Sequence, residues 1–494
     1  MQSEHQALAG DPGHLAIQQR KAIHGVRWSL LAVIGRQGLQ VVGALALARI
    51  LGPESYGIIS LASIYVVLVT LLLDQGLSAA LVQRPQLSAK APGAIFSLNL
   101  MTAVLLGALT WLLAPAISAF FQAPDLTAVL LVLAMALPLK AAAVAPRAML
   151  SRELHFLGIA VSDVAGAMVG TACGISAALM GASYYSILYQ VVATDIVAAV
   201  VLLVAAKGPI PNLRLREVRP LLGFSLGIFG VNALAYFSRN IDNILVGRFL
   251  GVASLSLYGM AYRVLALPVM LFGQTVNRVM FPVFSRTSKD LALLSSNLLK
   301  SMQVLSMIVV PVMVFTACAS AQLVNLVLGK EWLAAAPLLS VLAIAGARET
   351  IFFITPSLMR GMGKAGLNLR YEVLATIAQV SGIVIGLQFG LLWVAVGYAA
   401  GGFVLIPFLL VIQSKLCGAR ISTQLATVWP PVHASLWGAA AYFLVARLDV
   451  DGIVEILLGF LAFAFTAVLV LFIAHRSRTR VFLSRLRTLV DLRR

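Results

Sequence analysis

From Trp28 to Ile473 the chain is a succession of apolar runs, each about 20 residues long, the length a helix needs to cross roughly 30 Å of hydrocarbon. Such runs leave few options, because backbone N–H and C=O groups surrounded by lipid must be satisfied within the segment itself, as a helix does. Composition agrees: of 494 residues, 61% are hydrophobic and only 11% charged, less than half the charged share of a soluble domain. The expected fold is all-α, a polytopic membrane protein of about 14 transmembrane helices. The expected spans are 27–50, 56–83, 92–118, 125–147, 156–180, 184–206, 220–241, 255–284, 298–323, 333–358, 368–388, 391–412, 430–446 and 453–474.

The 36 Lys+Arg exceed the 18 Asp+Glu, a balance of +18 that in a soluble chain would suggest nucleic acid. In a membrane chain the same excess is explained by cytoplasmic loops enriched in Lys and Arg, so no nucleic-acid partner is expected. With both ends cytoplasmic, roughly 26 basic residues fall in the even-to-odd loops and tails and 4 in the opposite loops. That bias orients the chain and requires an even number of spans. Cys173, Cys318 and Cys417 are far apart and sit in or beside apolar runs, as small hydrophobes do. The six His form no HExxH pair, so neither a metal nor a cofactor is expected. Gly361-Met-Gly-Lys-Ala-Gly366 matches a dinucleotide fingerprint but has no preceding strand. The first apolar run has no small-residue cleavage site after it and reads as a retained span.

Three landmarks recur in order. Arg49-x-Leu-Gly returns as Arg248-x-Leu-Gly, Ala145-Pro146 with Met149 returns as Thr355-Pro356 with Met359, and Gly166/Gly170/Gly174 returns as Gly382/Gly386/Gly390. Glycines four apart share a helix face and allow close packing. The repeats imply a cytoplasmic segment 1–26, an N-lobe 27–206 of spans 1–6, a linker 207–219 and a C-lobe 220–412 of spans 7–12. Spans 13 and 14 with their preceding loop (413–474) and a basic tail (475–494) follow, giving two pseudo-symmetric six-helix lobes plus two additional C-terminal helices. Even-numbered halves are parallel repeats about the membrane normal. In the tail, Phe482, Leu486 and Leu489 share a face, suited to the anionic cytoplasmic leaflet or to a plain topological anchor.

Six basic residues fit no loop: Arg36, Lys140, Arg239, Arg263, Arg278 and Arg348, with Arg49 at an outer boundary. Facing lipid they would cost on the order of 15–20 kcal/mol together, so they should face protein or a wet cavity. Ser29, Arg36, Gln40 and Gly43 fall on one face of span 1; Arg263, Gln274, Asn277 and Arg278 make a stripe in span 8; Ser63, Thr70 and Asp74 make one in span 2. For Arg49, Arg239 and Arg278, near span ends, snorkelling or a packing ion pair remains an equal alternative. Acids at depth are fewer: Asp74, Asp163, Asp195, Asp242 and Glu349. Arg239 and Asp242 have the spacing of a pair, whereas adjacent Arg348 and Glu349 point to different partners. An excess of buried cations implies an anionic substrate group, and the planar, permanently charged fork of Arg suits phosphate.

The chain carries the boxes Arg49-x-Leu-Gly-Pro-x-x-Tyr-Gly, Asp74-Gln-Gly-Leu-Ser-Ala-Ala-Leu-Val-Gln-Arg84, Asp242-Asn-Ile-Leu-Val-Gly-Arg-Phe-Leu-Gly251, Tyr258-Gly-Met-Ala-Tyr262 and Gly329-Lys-Glu-Trp332, within a resemblance that extends over nearly its whole length. With them the sequence resembles the polysaccharide exporter family. These are the Wzx-type flippases of the multidrug, oligosaccharidyl-lipid and polysaccharide exporter superfamily, here of the exopolysaccharide branch. The resemblance implies a transporter in the bacterial inner membrane that moves polyprenyl-diphosphate-linked oligosaccharide by alternating access, not an enzyme. It implies diphosphate-binding candidates Arg36, Arg49, Lys140, Arg263, Arg278 and Arg348, only Arg49 lying in a matching motif. Ion-coupling candidates for H⁺ or Na⁺ are Asp74, Asp163, Asp195, Asp242 and Glu349. Implied partners are membrane lipids, a polysaccharide polymerase and chain-length or export proteins. The alternatives are a multidrug antiporter of the same superfamily, which would want an acidic and aromatic cavity, and a polymerase-type membrane enzyme, which would want a long extramembrane loop.

Overall fold

The computed structural model describes residues 12–74, 77–83, 88, 90–214, 216, 218–448 and 452–480. Gln75, Gly76, Arg84 and the tail residues Phe482, Leu486 and Leu489 lie outside the described residues, as do the side chains of Ser29 and Arg239. Every regular element among the described residues is helical. By packing, the chain forms two units, Met1–Ala253 and Ser254–Arg494.

Eleven helical runs are long and apolar enough to span a membrane. Two of them, Gly35–Asp74 and Asn240–Thr287, are 40 and 48 residues long, far more than one bilayer needs. Both contain a bend. Helix α1 (Pro12–Asp74) leaves helical geometry at Gly52 with φ 72° and ψ 174°, a conformation open to glycine because it lacks Cβ. Pro53 follows as the first residue of the second arm, where a missing N–H is harmless. The expected turn between spans 1 and 2 is therefore a single residue wide. Further along, Gly251 takes φ 85° and ψ 174°, so the two Arg-x-Leu-Gly copies share a backbone conformation as well as a sequence. Counting each bent run as two crossings, and adding a 26-residue helix at Ile421–Ala446 that carries Pro430 and Pro431, the count agrees with about fourteen.

Unit 1 contains α1, α2 (Leu77–Gln83), α3 (Ala91–Phe121), α4 (Leu126–Arg152), α5 (Phe156–Leu179), α6 (Ser186–Ala205) and most of α7 (Arg219–Pro268). Its core includes Val69, Leu73, Ala103, Leu137 and Ala141, with Leu77, Leu81, Ile95, Ala145 and Ala148 in a second cluster. The expected glycine seam is present: a Cβ on Gly170 would collide with the Thr194 side chain, and one on Gly174 would press on Gln190. The first arm of α1 turns Gly43 onto Thr171 of α5, so the polar face that carries Arg36 is packed on α5.

Unit 2 holds the end of α7, then α8 (Gln274–Thr287), α9 (Leu291–Cys318), α10 (Ser320–Val327), α11 (Ala336–Phe352), α12 (Thr355–Gly361), α13 (Ala365–Leu387), α14 (Leu391–Val404), α15 (Ile406–Cys417), α16 (Ile421–Ala446) and α17 (Gly452–Ala474). Gly382 and Gly386 of α13 meet the α14 backbone at Gly397 and Trp393, as the seam in unit 1 does with α6. Gly390 is not part of that seam. It lies beyond the end of α13 at φ 102° and makes the turn into α14. The span-8 stripe is also corrected. A π turn at Val269–Gly273, between Pro268 and Gln274, adds residues to one turn and shifts the α-helical phase. Gln274, Asn277 and Arg278 therefore rotate away from the face of Arg263, by on the order of 100° for one inserted residue.

Candidate functional site: membrane-embedded charges

Helix α4 carries Lys140 and Arg147, seven residues and about two turns apart, on nearly one face. Lys140 Nζ lies 3.2 Å from Asp195 Oδ1 on α6, and Arg147 Nη2 lies 2.5 Å from Asp163 Oδ1 on α5. Arg36 Nη1 approaches the other oxygen, Asp163 Oδ2, at 3.8 Å. Three cations thus share two carboxylates, leaving a surplus of one positive charge across four neighbouring helices. The set is not saturated: Arg36 Nε and Asp195 Oδ2 are buried without hydrogen-bond partners. Buried ions of this kind are tolerated because the counter-ion is at hand.

Arg147 was not among the expected site residues. The sequence counts it among the basic residues of a cytoplasmic loop, at the end of the span expected over 125–147, yet α4 runs on to Arg152. The seven-residue spacing from Lys140 was the signal available for it.

Unit 2 arranges its charges differently. Arg348 on α11 is 7% exposed, and its Nε and Nη2 have no hydrogen-bond partner among the described residues. Its guanidinium lies against Gly402 of α14, where any Cβ would collide with it. Neighbouring Glu349 points elsewhere, accepting a hydrogen bond from Tyr398 Oη at 3.1 Å, while Tyr262 Oη lies 3.4 Å from that hydroxyl. The tyrosines were also not anticipated as site residues.

The other candidates are spread over the fold. Arg49 is exposed three residues before the Gly52 bend. Arg263 and Arg278 are exposed on either side of the π turn. Asp74 Oδ1 accepts the Ser78 N–H at 3.2 Å, capping α2, and buried Asp242 accepts the Asn243 N–H at 2.7 Å. The structure gathers Arg36, Lys140, Asp163 and Asp195 in unit 1 and Arg348 and Glu349 in unit 2.

Residues 46–337, more than half of the chain, match the family model described as polysaccharide biosynthesis protein. The chain belongs to this family. Among curated relatives it is 25% identical to the lipopolysaccharide biosynthesis protein WzxC of Escherichia coli (strain K12), over 85% of this chain and 86% of that one. It is equally 25% identical to the succinoglycan biosynthesis transport protein ExoT of Rhizobium meliloti (strain 1021), over 75% of each. In fold this family member is similar to the lipid II flippase MurJ in an inward closed conformation, with a TM-score of 0.72 and 14% identity over 91% of this chain and 99% of that one. An inward-facing multidrug resistance MATE transporter gives 0.62 and 17% identity over 82% and 99%. The family description is polysaccharide biosynthesis, and the fold is the one shared by the MurJ and MATE structures.

Proposed function

We propose that this polysaccharide biosynthesis protein flips a polyprenyl-diphosphate-linked oligosaccharide across the bacterial inner membrane, with both ends of the chain in the cytoplasm. One observation carries the reading: Arg348 is buried with two orphaned nitrogens and no carboxylate within ion-pair reach among the described residues. An uncompensated guanidinium inside a membrane protein is costly. A diphosphate supplies the missing acceptors, and Arg donates to phosphate as a bidentate fork. The surplus cation among Arg36, Lys140 and Arg147 favours the same sign of cargo. A multidrug antiporter carrying cations would gain nothing from these groups.

Coupling to H⁺ or Na⁺ has support from Asp195, whose Oδ2 is buried without a partner, and from the Tyr398-bound Glu349. The orientation follows from the basic loops. A polysaccharide polymerase and chain-length or export proteins would take the delivered units. The deciding experiment is complementation in a strain lacking the gene, with lipid extracts analysed by mass spectrometry. Arg348→Ala and Arg36→Ala should insert normally, stop polymer output and leave polyprenyl-diphosphate oligosaccharide accumulated on the cytoplasmic leaflet. Normal polymer from both variants refutes the reading.

A further inference from the structure

At one membrane-facing end of unit 2, the start of α9, the start of α16 and the segment after α17 enclose a cavity of about 370 Å³. Its polar lining comes from three segments: Ser296 and Lys300, Thr423 and Thr427, Ser477 and Arg478. A second cavity of about 750 Å³ shares Ser477 and Arg478 with the first. It is otherwise walled largely by Leu425, Val428, Trp429, Val432 and Ala474, with His475 beside them. Among the described residues no carboxylate lines either cavity.

The arrangement is built rather than incidental. The chain bends at His475 after α17 and turns back, and Thr479, 5% exposed, fixes the bend by donating its hydroxyl to the carbonyls of Leu471 and His475 at 3.0 and 3.1 Å. Buried Gln303 of α9 reaches the Arg478 carbonyl at 3.4 Å. Arg478 is thereby held at the junction of the two cavities. Two cations and the hydroxyls of Ser296, Thr423 and Ser477 offer donors to a phosphate, while the Thr427 hydroxyl is committed to the Thr423 carbonyl. The wall at positions 425, 428, 429 and 432 has the spacing of a single helix face. A charged head and an apolar tail joined at one point are what the two cavities together can hold.

We propose that this double cavity is a binding site for an anionic phospholipid of the membrane leaflet that faces the basic loops. Its phosphate sits between Lys300 and Arg478, and an acyl chain lies along Trp429 and Ala474. The proposal is independent of the cargo, because it uses none of the membrane-embedded charges above. A lipid is favoured over free phosphate because the apolar cavity opens from the same two residues, and because these residues sit toward the ends of helices long and apolar enough to span a membrane.

The test is native mass spectrometry of the purified full-length protein, titrated with phosphatidylglycerol and, separately, phosphatidylcholine. The intact chain should retain one phosphatidylglycerol, preferred over phosphatidylcholine by about tenfold or more, as two charge-assisted contacts imply. K300Q/R478Q should abolish the preference, while R360Q/K364Q, basic residues away from the cavities, should keep it. A474F leaves every charge in place but fills the apolar cavity, and should also release the lipid. The proposal is overturned if K300Q/R478Q binds phosphatidylglycerol as the parent does, if both lipids bind alike, or if A474F retains the lipid. Displacement of the lipid by millimolar glycerol 1-phosphate would assign the polar cavity to a free phosphate instead.

Discussion

In unit 1, Arg36, Arg147 and Lys140 each face a carboxylate on a neighbouring helix, whereas in unit 2 Arg348 is more deeply buried and faces none. The scaffolds beneath them are alike: both units pack a pair of helices along a glycine seam, at Gly170 and Gly174 in one and at Gly382 and Gly386 in the other. The difference teaches that a repeated frame need not repeat its electrostatics. In unit 1 the cations pair across helices, and in unit 2 one buried guanidinium has no counter-ion among the described residues.

The largest effect that would break this comparison is at Arg348. Arg348→Met should lower polymer output on the order of 10- to 100-fold, the range of a lost charged hydrogen bond or two. Thermal stability in detergent should hold or rise, since an orphaned charge is replaced by an apolar chain. A stability loss as large as the functional loss would mean that Arg348 is a structural ion after all. Asp163→Asn should do the reverse. It leaves Arg147 and Arg36 without their carboxylate, and about 1–3 kcal/mol of stability should disappear, discounted because both arginines are about a third exposed. Adding Arg147→Met to Asp163→Asn should recover part of that loss.

The shared scaffold is tested at the seams. Gly170→Leu and Gly386→Leu should each cost about 1–3 kcal/mol by overpacking, and unequal losses would show that the seams differ in tolerance.

The smallest expected effect is a pH dependence at His475. Trp437 Nε1 donates to His433 Nε2 at 3.1 Å, so His433 must present an Nδ1–H to His475 Nε2, also 3.1 Å away. Partial burial first, then His433 and Arg478, hold the His475 imidazole below its ordinary value of 6.5. The folded protein therefore binds its proton more weakly than the unfolded chain does. Stability contributed by the pair is full above about pH 6.5 and is lost as pH falls toward the depressed value. A melting series from pH 8 to 5 should show this decline, and His475→Gln should flatten it.

Much of the frame was legible in the sequence because it is periodic: the runs, the glycine faces and the doubled Arg-x-Leu-Gly box are all repeats of a fixed spacing. What was not legible depends on tertiary context. Arg147 reads as a loop residue, but α4 continues through it to Arg152, and its partly exposed guanidinium pairs with Asp163 on α5. The π turn after Pro268 has no periodic trace, so the stripe from Arg263 to Arg278 looked continuous when it is split. That Arg348 lacks a carboxylate is a fact about Gly402 and its neighbours on another helix, and no window around residue 348 contains it.

The two single-glycine bends also bear on how such a chain is made. Between the arms at Gly52 there is no long hydrophilic loop to be passed through a translocation channel, only Gly52 and Pro53 flanked by Arg49, Glu54 and Ser55. The arms meeting at Gly251 are joined as tightly. During synthesis the two arms joined at Gly52 should therefore leave the channel together rather than as two independent spans, so that Arg36 enters the bilayer with the second arm following directly.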